Sequence, residues 1–131
     1  MDKVKQLIHS DKYKNIHGWC TKEKVLKMIH YINPTDICVE LGVFGGKSLL
    51  PISFMTNNSV FGIDSWEKSA SLEGSNDKSN DEWWEKIDYN QMYNYTIELF
   101  NNYECKNVKL LRMKSSAAVN KFENDSIDFL H

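Results

Sequence analysis

The chain has 131 residues, with 16 Lys plus Arg against 18 Asp plus Glu and 41% hydrophobic residues. That length and composition suit one domain, residues 1–131, with a core of its own, and they exclude wholesale disorder. A net charge of −2 gives no general reason to expect a nucleic-acid partner. No apolar run approaches the roughly 18–20 residues of a membrane span. Cys20, Cys38 and Cys105 are scattered and form no CxxC pair, which argues against a zinc knuckle or a disulfide scaffold. With no apolar signal segment at the N-terminus, the expected compartment is the cytoplasm. The charge is uneven: Asp64 to Asp88 holds 8 acids and 3 lysines.

Val4, Leu7 and Ile8 suggest a short first helix, followed by a polar stretch to Gly18. Thr21 is a plausible N-cap for a helix carrying Val25, Leu26, Met28, Ile29 and Ile32, which Asn33-Pro34 stops. Ile37 to Leu41 reads as a buried strand that runs into Gly42-Val43-Phe44-Gly45-Gly46-Lys47-Ser48. A helix beginning near Lys47 tolerates Pro51, because first-turn N–H groups have no intrahelical partner. Ser59 to Ile63 reads as a second strand with Asp64 at its carboxyl end, completing a parallel βαβ unit. Residues 67–82 read as a long polar surface loop. A helix is expected from Trp83 to Phe100, a third strand over Val108–Met113, a short helix capped by Ser115 or Ser116, and a fourth strand from Ile127. The expected fold is Rossmann-like α/β, three layers deep, with parallel strands ordered 3-2-1-4.

The glycine cluster carries the functional reading. A P-loop needs G-x-x-x-x-G-K-[ST], but the position of its first glycine is Leu41, and starting at Gly42 leaves the loop one residue short. A dinucleotide fingerprint fails at Phe44, where the second glycine should make room for a pyrophosphate. What stands here is Glu40-x-Gly42-x-x-x-Gly46-x-Ser48, after a strand and opening a helix. A carboxylate there suits an ammonium group, and a helix N-terminus suits a carboxylate. S-adenosylmethionine offers both and has no pyrophosphate. Asp64, at the next strand end, is placed to accept hydrogen bonds from ribose hydroxyls, and Ser115-Ser116 follow the third strand where an adenine edge would lie.

Cys38-Val39-Glu40-Leu41-Gly42-Val43-Phe44-Gly45-Gly46-Lys47-Ser48 and Phe61-Gly62-Ile63-Asp64-Ser65-Trp66 resemble class I S-adenosylmethionine-dependent methyltransferases. Within them the chain is similar to the macrocin O-methyltransferase and cephalosporin-hydroxylase-like branch. Gly18-Trp19-Cys20-Thr21, Glu73-Gly74, Trp83-Trp84 and Ile127-Asp128-Phe129-Leu130-His131 extend the resemblance over about residues 18–131. It implies that Glu40, Gly42 and Gly46 hold the methionine portion of the cofactor, Asp64 the ribose, and Ser115 with Ser116 the adenine side. Val43, Ser48 and Ser65 are further cofactor-binding candidates, Ser48 either as a helix cap or as a contact to the cofactor carboxylate.

The resemblance also implies O-methyl transfer to a small molecule or sugar. From the charge and the lack of a long apolar run, no nucleic-acid or membrane partner is expected; a homo-oligomer is left open. One departure is large. The family's fourth strand continues as Ile-Asp-Gly, whose aspartate holds a divalent cation in metal-assisted members, whereas this chain ends at His131. The expectation is therefore a domain truncated after the fourth strand, a metal only with residues beyond the chain, and no nameable catalytic base. The alternative is a non-catalytic adenosyl- or nucleotide-binding module, or a remnant acting as an interaction domain.

Three smaller readings complete the expectation. Trp66, Trp83 and Trp84 flank the 67–82 loop and make it a candidate lid. His17 and Trp19 are candidates to close over the methionine end of the cofactor. His131 is the one remaining acid–base candidate near the reaction centre.

Overall fold

The computed structural model describes residues 1–71 and 78–131. Four parallel strands form one sheet: β1 (Cys38–Leu41), β2 (Val60–Asp64), β3 (Val108–Arg112) and β4 (Phe129–Leu130). Their order is β3-β2-β1-β4, as the βαβ reading requires. Glycine-loop residues and Asp64 thus come to the carboxyl ends of the two central strands, where ligands sit in open α/β sheets.

Alternation along the strands separates two faces. Cys38, Val60, Val108, Leu110 and Phe129 point to one face and join the main core. That core is supplied by α1 (Asp2–Ile8), α2 (Asp11–Lys14), α3 (Lys22–Ile29), α4 (Leu49–Ser53) and α7 (Tyr89–Asn102). Val39 and Ile63 point to the other face, where the helical layer is thin: α8 (Ser115–Ala118) and a 3-10 turn, Val119–Lys121. Ala118 packs there with Val39 and Ile63, and Phe122 and Ile127 lie against them.

Local signals account for most helix ends. Thr21 caps α3 by accepting from the Lys24 N–H at 3.1 Å. Pro51 sits in the first turn of α4, which starts at Leu49, two residues later than Lys47. Four expectations need correction. The polar stretch before Gly18 contains α2, whose N-cap Ser10 accepts from the Tyr13 N–H while Tyr13 buries itself in the core. The helix expected from Trp83 to Phe100 is two helices. The break falls before Asp88, which caps α7 by accepting from the Gln91 N–H at 3.0 Å. Ser115 and Ser116 cap nothing; the N-cap of α8 is Lys114, whose backbone carbonyl takes the Ala117 and Ala118 N–H groups. Finally, residues 67–82 are not one loop. They hold α5 (Lys68–Ser71) and the start of α6 (Lys78–Glu85), with Glu73-Gly74 outside the described residues.

Candidate functional site

The loop after β1 is built on its glycines. Gly42 and Gly46 have φ of +82° and +88°, backbone that a side chain rarely adopts. A methyl on Gly45 would collide with the backbone carbonyl of His17, so this glycine lets the Gly18-Trp19-Cys20 segment dock on the loop. Tyr13 anchors the same segment from below, its hydroxyl donating to the Cys20 carbonyl at 3.1 Å.

Asp64 organises the loop. Its Oδ2 accepts from the Phe44 N–H and its Oδ1 from the Trp66 N–H, both at 2.9 Å. Both donors sit at positive φ, 53° for Phe44 and 43° for Trp66, so the carboxylate holds two strained residues in place. Trp66 is buried, with Nε1 donating to the Phe44 carbonyl at 2.9 Å and its ring 4.8 Å from that of Tyr93. Of the three tryptophans flanking the 67–82 segment, Trp66 is therefore a core residue. Trp83 and Trp84 turn instead to an aromatic cluster: Trp19 stacks on Phe44 at 5.2 Å and meets Trp83 at 5.2 Å and Trp84 at 5.8 Å. That docking gives the polar α6 a reason to be helical that its sequence lacks.

Two cavities open at the strand ends. The first, about 260 Å³, is walled by Gly18, Trp19, Cys20, Lys24, Val43, Phe44, Lys47, Ser48, Trp66, Trp84, Tyr89 and His131, together with Gly42 and Asp64. The second, about 410 Å³, has Leu41, Ile63, Ser65, Ala70, Met113, Lys114, Ser115 and Ser116, again with Gly42 and Asp64. Gly42 has nothing within 4 Å of where a Cβ would stand, so the two cavities meet at bare backbone. Together they fall in the range of roughly 300–1,000 Å³ for small-molecule pockets.

The expected site residues are thus distributed. Gly42, Val43, Ser48 and Asp64 wall the first cavity; Gly42, Asp64, Ser65, Ser115 and Ser116 wall the second. Gly46 lies elsewhere, against Leu99 and Phe100 of α7. Glu40 is fully buried behind Ser48 and His131, not on the wall. Its Oε2 accepts from the Ser48 hydroxyl at 2.6 Å and lies 2.7 Å from His131 Nδ1, while Oε1 has no partner among the described residues. Burial pushes the Glu40 carboxyl above its ordinary range, with His131 and Ser48 pulling the other way. His17 does not join the cavity; its ring packs edge-on against Tyr95 at 4.8 Å. Lys24 is a wall residue that the sequence reading missed, and only its position on the first turns of α3 beneath Trp19-Cys20 would have found it. Among the described residues no group of three His, Cys, Asp or Glu side chains is placed to hold a metal ion. No helix among them is long and apolar enough to cross a membrane.

No protein-family model matches the chain, and no curated protein matches it. Solved structures do resemble it. A protein assigned as a methyltransferase from Streptococcus mutans, in complex with S-adenosylhomocysteine, superposes with TM-score 0.54 at 15% identity, over 81% of this chain and 46% of that one. An rRNA methylase from Streptococcus thermophilus gives 0.53 at 10%, over 77% and 46%. A precorrin 8w decarboxylase from Methanobacterium thermoautotrophicum gives 0.59 at 15%, over 89% and 50%. These likenesses establish the Rossmann-like α/β fold, and the chain spans about half the length of the structures it matches.

Proposed function

We propose that the chain binds S-adenosylmethionine across the two cavities and belongs to a methyltransferase. The observation that carries this reading is the bare Gly42 backbone joining them, with Asp64 on the wall of both. A ligand with two polar ends and a ribose between them would cross Gly42 beside Asp64. Each Asp64 oxygen already takes one backbone N–H and keeps a second lone pair for a ribose hydroxyl. The first cavity would take the amino-acid end. Lys24 and Lys47 bring positive charge for its carboxylate, and the buried Glu40 brings negative charge behind Ser48 and His131 for its ammonium. Ser115 and Ser116 would border the adenine. When bound, the cofactor supplies an electrophilic methyl group on a sulfonium; the chain's part is positioning and exclusion of water.

The finer reading is O-methyl transfer to a small molecule or sugar, near the macrocin O-methyltransferase and cephalosporin-hydroxylase-like branch, on the sequence motifs alone. The acids between Asp64 and Asp88 disfavour a polyanionic acceptor such as nucleic acid. The aromatic cluster of Trp19, Phe44, Trp83 and Trp84 would form a cover over the first cavity. A second reading, a non-catalytic adenosyl- or nucleotide-binding interaction domain, draws on an apolar hollow of about 360 Å³ on the thinly covered sheet face.

Calorimetric titration with S-adenosylmethionine, S-adenosylhomocysteine and ATP tests the reading. Saturable binding of both adenosyl sulfur compounds and not ATP is expected, weakened at least tenfold by Asp64→Ala. Binding of ATP alone would overturn it, as would absence of any binding by the folded chain.

A further inference from the structure

The register of β4 against β1 continues one residue beyond Leu130: His131 N–H donates to the Val39 carbonyl and Leu41 N–H to the His131 carbonyl, both at 2.9 Å. Glu40 and His131 are therefore neighbours on adjacent strands, on the face toward α4. We propose that they form a proton-accepting pair for the methyl acceptor, with His131 as the base and Glu40 as its positioning residue. This rests on the methyl-transfer reading and adds to it a group that takes the acceptor's proton.

The geometry gives each residue its task. Once ionised, a carboxylate only accepts hydrogen bonds, so the Glu40 carboxylate, with Oε2 at 2.7 Å from Nδ1, then keeps the imidazole proton on Nδ1; burial raises the pH at which this form is reached, and the Ser48 and His131 contacts lower it. The Ser48 hydroxyl, donating to the same oxygen at 2.6 Å, supports the ionised form from the other side. Nε2 has no hydrogen-bond partner among the described residues, and the ring lies on the wall of the first cavity with 29% of the side chain exposed.

The other titratable groups on that wall are poorly suited to the task. Lys24 and Lys47 are cations. Asp64 has both oxygens engaged by backbone N–H groups, and Cys20 is a thiol whose ionisation burial opposes. The Tyr89 hydroxyl donates to the Trp84 carbonyl at 2.9 Å. In the step itself the acceptor hydroxyl oxygen forms the new O–CH3 bond as the carbon–sulfur bond breaks and its electron pair returns to sulfur. The hydroxyl proton passes to Nε2, and the resulting imidazolium stands against the Glu40 carboxylate.

Nitrogen-15 NMR of the imidazole and site-resolved carbethoxylation by diethyl pyrocarbonate, both on the full chain, test the pair. The expected results are the Nδ1–H tautomer for His131 and its modification at Nε2. Saturating S-adenosylhomocysteine should slow that modification at least tenfold, and E40Q should lower its limiting rate at high pH at least threefold. A Nε2–H tautomer would overturn the proposal, because Glu40 would then be the donor and no lone pair would face the cavity; this reading needs no variant. An E40Q rate equal to that of the parent chain, in a variant whose circular dichroism is unchanged, would also overturn it. Should S-adenosylhomocysteine neither bind nor protect while the tautomer and the E40Q effect hold, the methyl-transfer reading fails and with it the assignment of the pair to a methyl acceptor, leaving only the oriented Glu40–His131 contact.

Discussion

The two faces of the sheet differ sharply. One is buried under five helices and holds the large core, with Leu49, Leu50, Ile52 and Val60 fully buried. The other carries Val39, Ile63 and Ala118 under one short helix and a 3-10 turn, and leaves Leu41, Val119 and Leu130 exposed. Stability should therefore reside on the first face, while the candidate site lies along the strand ends that both faces share. The pair Glu40–His131 belongs to the well-packed side, and Ser115–Ser116 to the thin one. The proposed methionine half of the site should be rigid on this account, and the proposed adenine half should depend more on what covers the thin face.

The contrast can be broken by mutation. Leu49→Ala should cost about 2–5 kcal/mol in urea unfolding, since a fully buried side chain leaves a cavity. Ile127→Ala, on the thin face, should cost less than half of that; equal losses would erase the distinction. Gly45→Ala should cost about 1–3 kcal/mol through its clash with the His17 backbone. It should also loosen the Trp19 segment, read as a red shift of tryptophan fluorescence. The Glu40 charge sharpens the comparison further. Its carboxyl lies above the ordinary range in the fold, so between the unfolded and folded values the native state binds more protons than the unfolded one. Stability from this group is then fully present below the unfolded value and is lost as pH rises through the folded one. E40Q should flatten that fall in urea midpoints measured from pH 4 to 7. The smallest effect belongs to Leu130→Ser: the side chain is exposed, and stability should move by no more than about 0.5 kcal/mol.

Much of this was legible in the sequence. The apolar runs before Gly42 and Asp64, with a glycine turn between them, predict a βαβ unit, and the handedness of its crossover leaves little choice of strand order. Misreadings arose where helices depend on distant partners. Residues 78–82 read as loop, but they are helical because Trp83 and Trp84, which follow them, find Trp19 and Phe44 some 40–65 positions earlier in the chain. The expected caps at Ser115 and Ser116 failed because the backbone turned at Lys114, one residue earlier.

The sequence by itself determined the strand order, the glycine loop and the acid at each of two strand ends, because periodicity and turn chemistry are local properties. It marked Glu40 and Asp64 as a pair of ligand-facing acids. Only the tertiary structure decided that they differ. Asp64 stands on the walls and ties down Phe44 and Trp66, whereas Glu40 is buried against a histidine 91 residues away. That contact depends on how β4 registers against β1, and register is a property of two strands together that neither one's sequence contains.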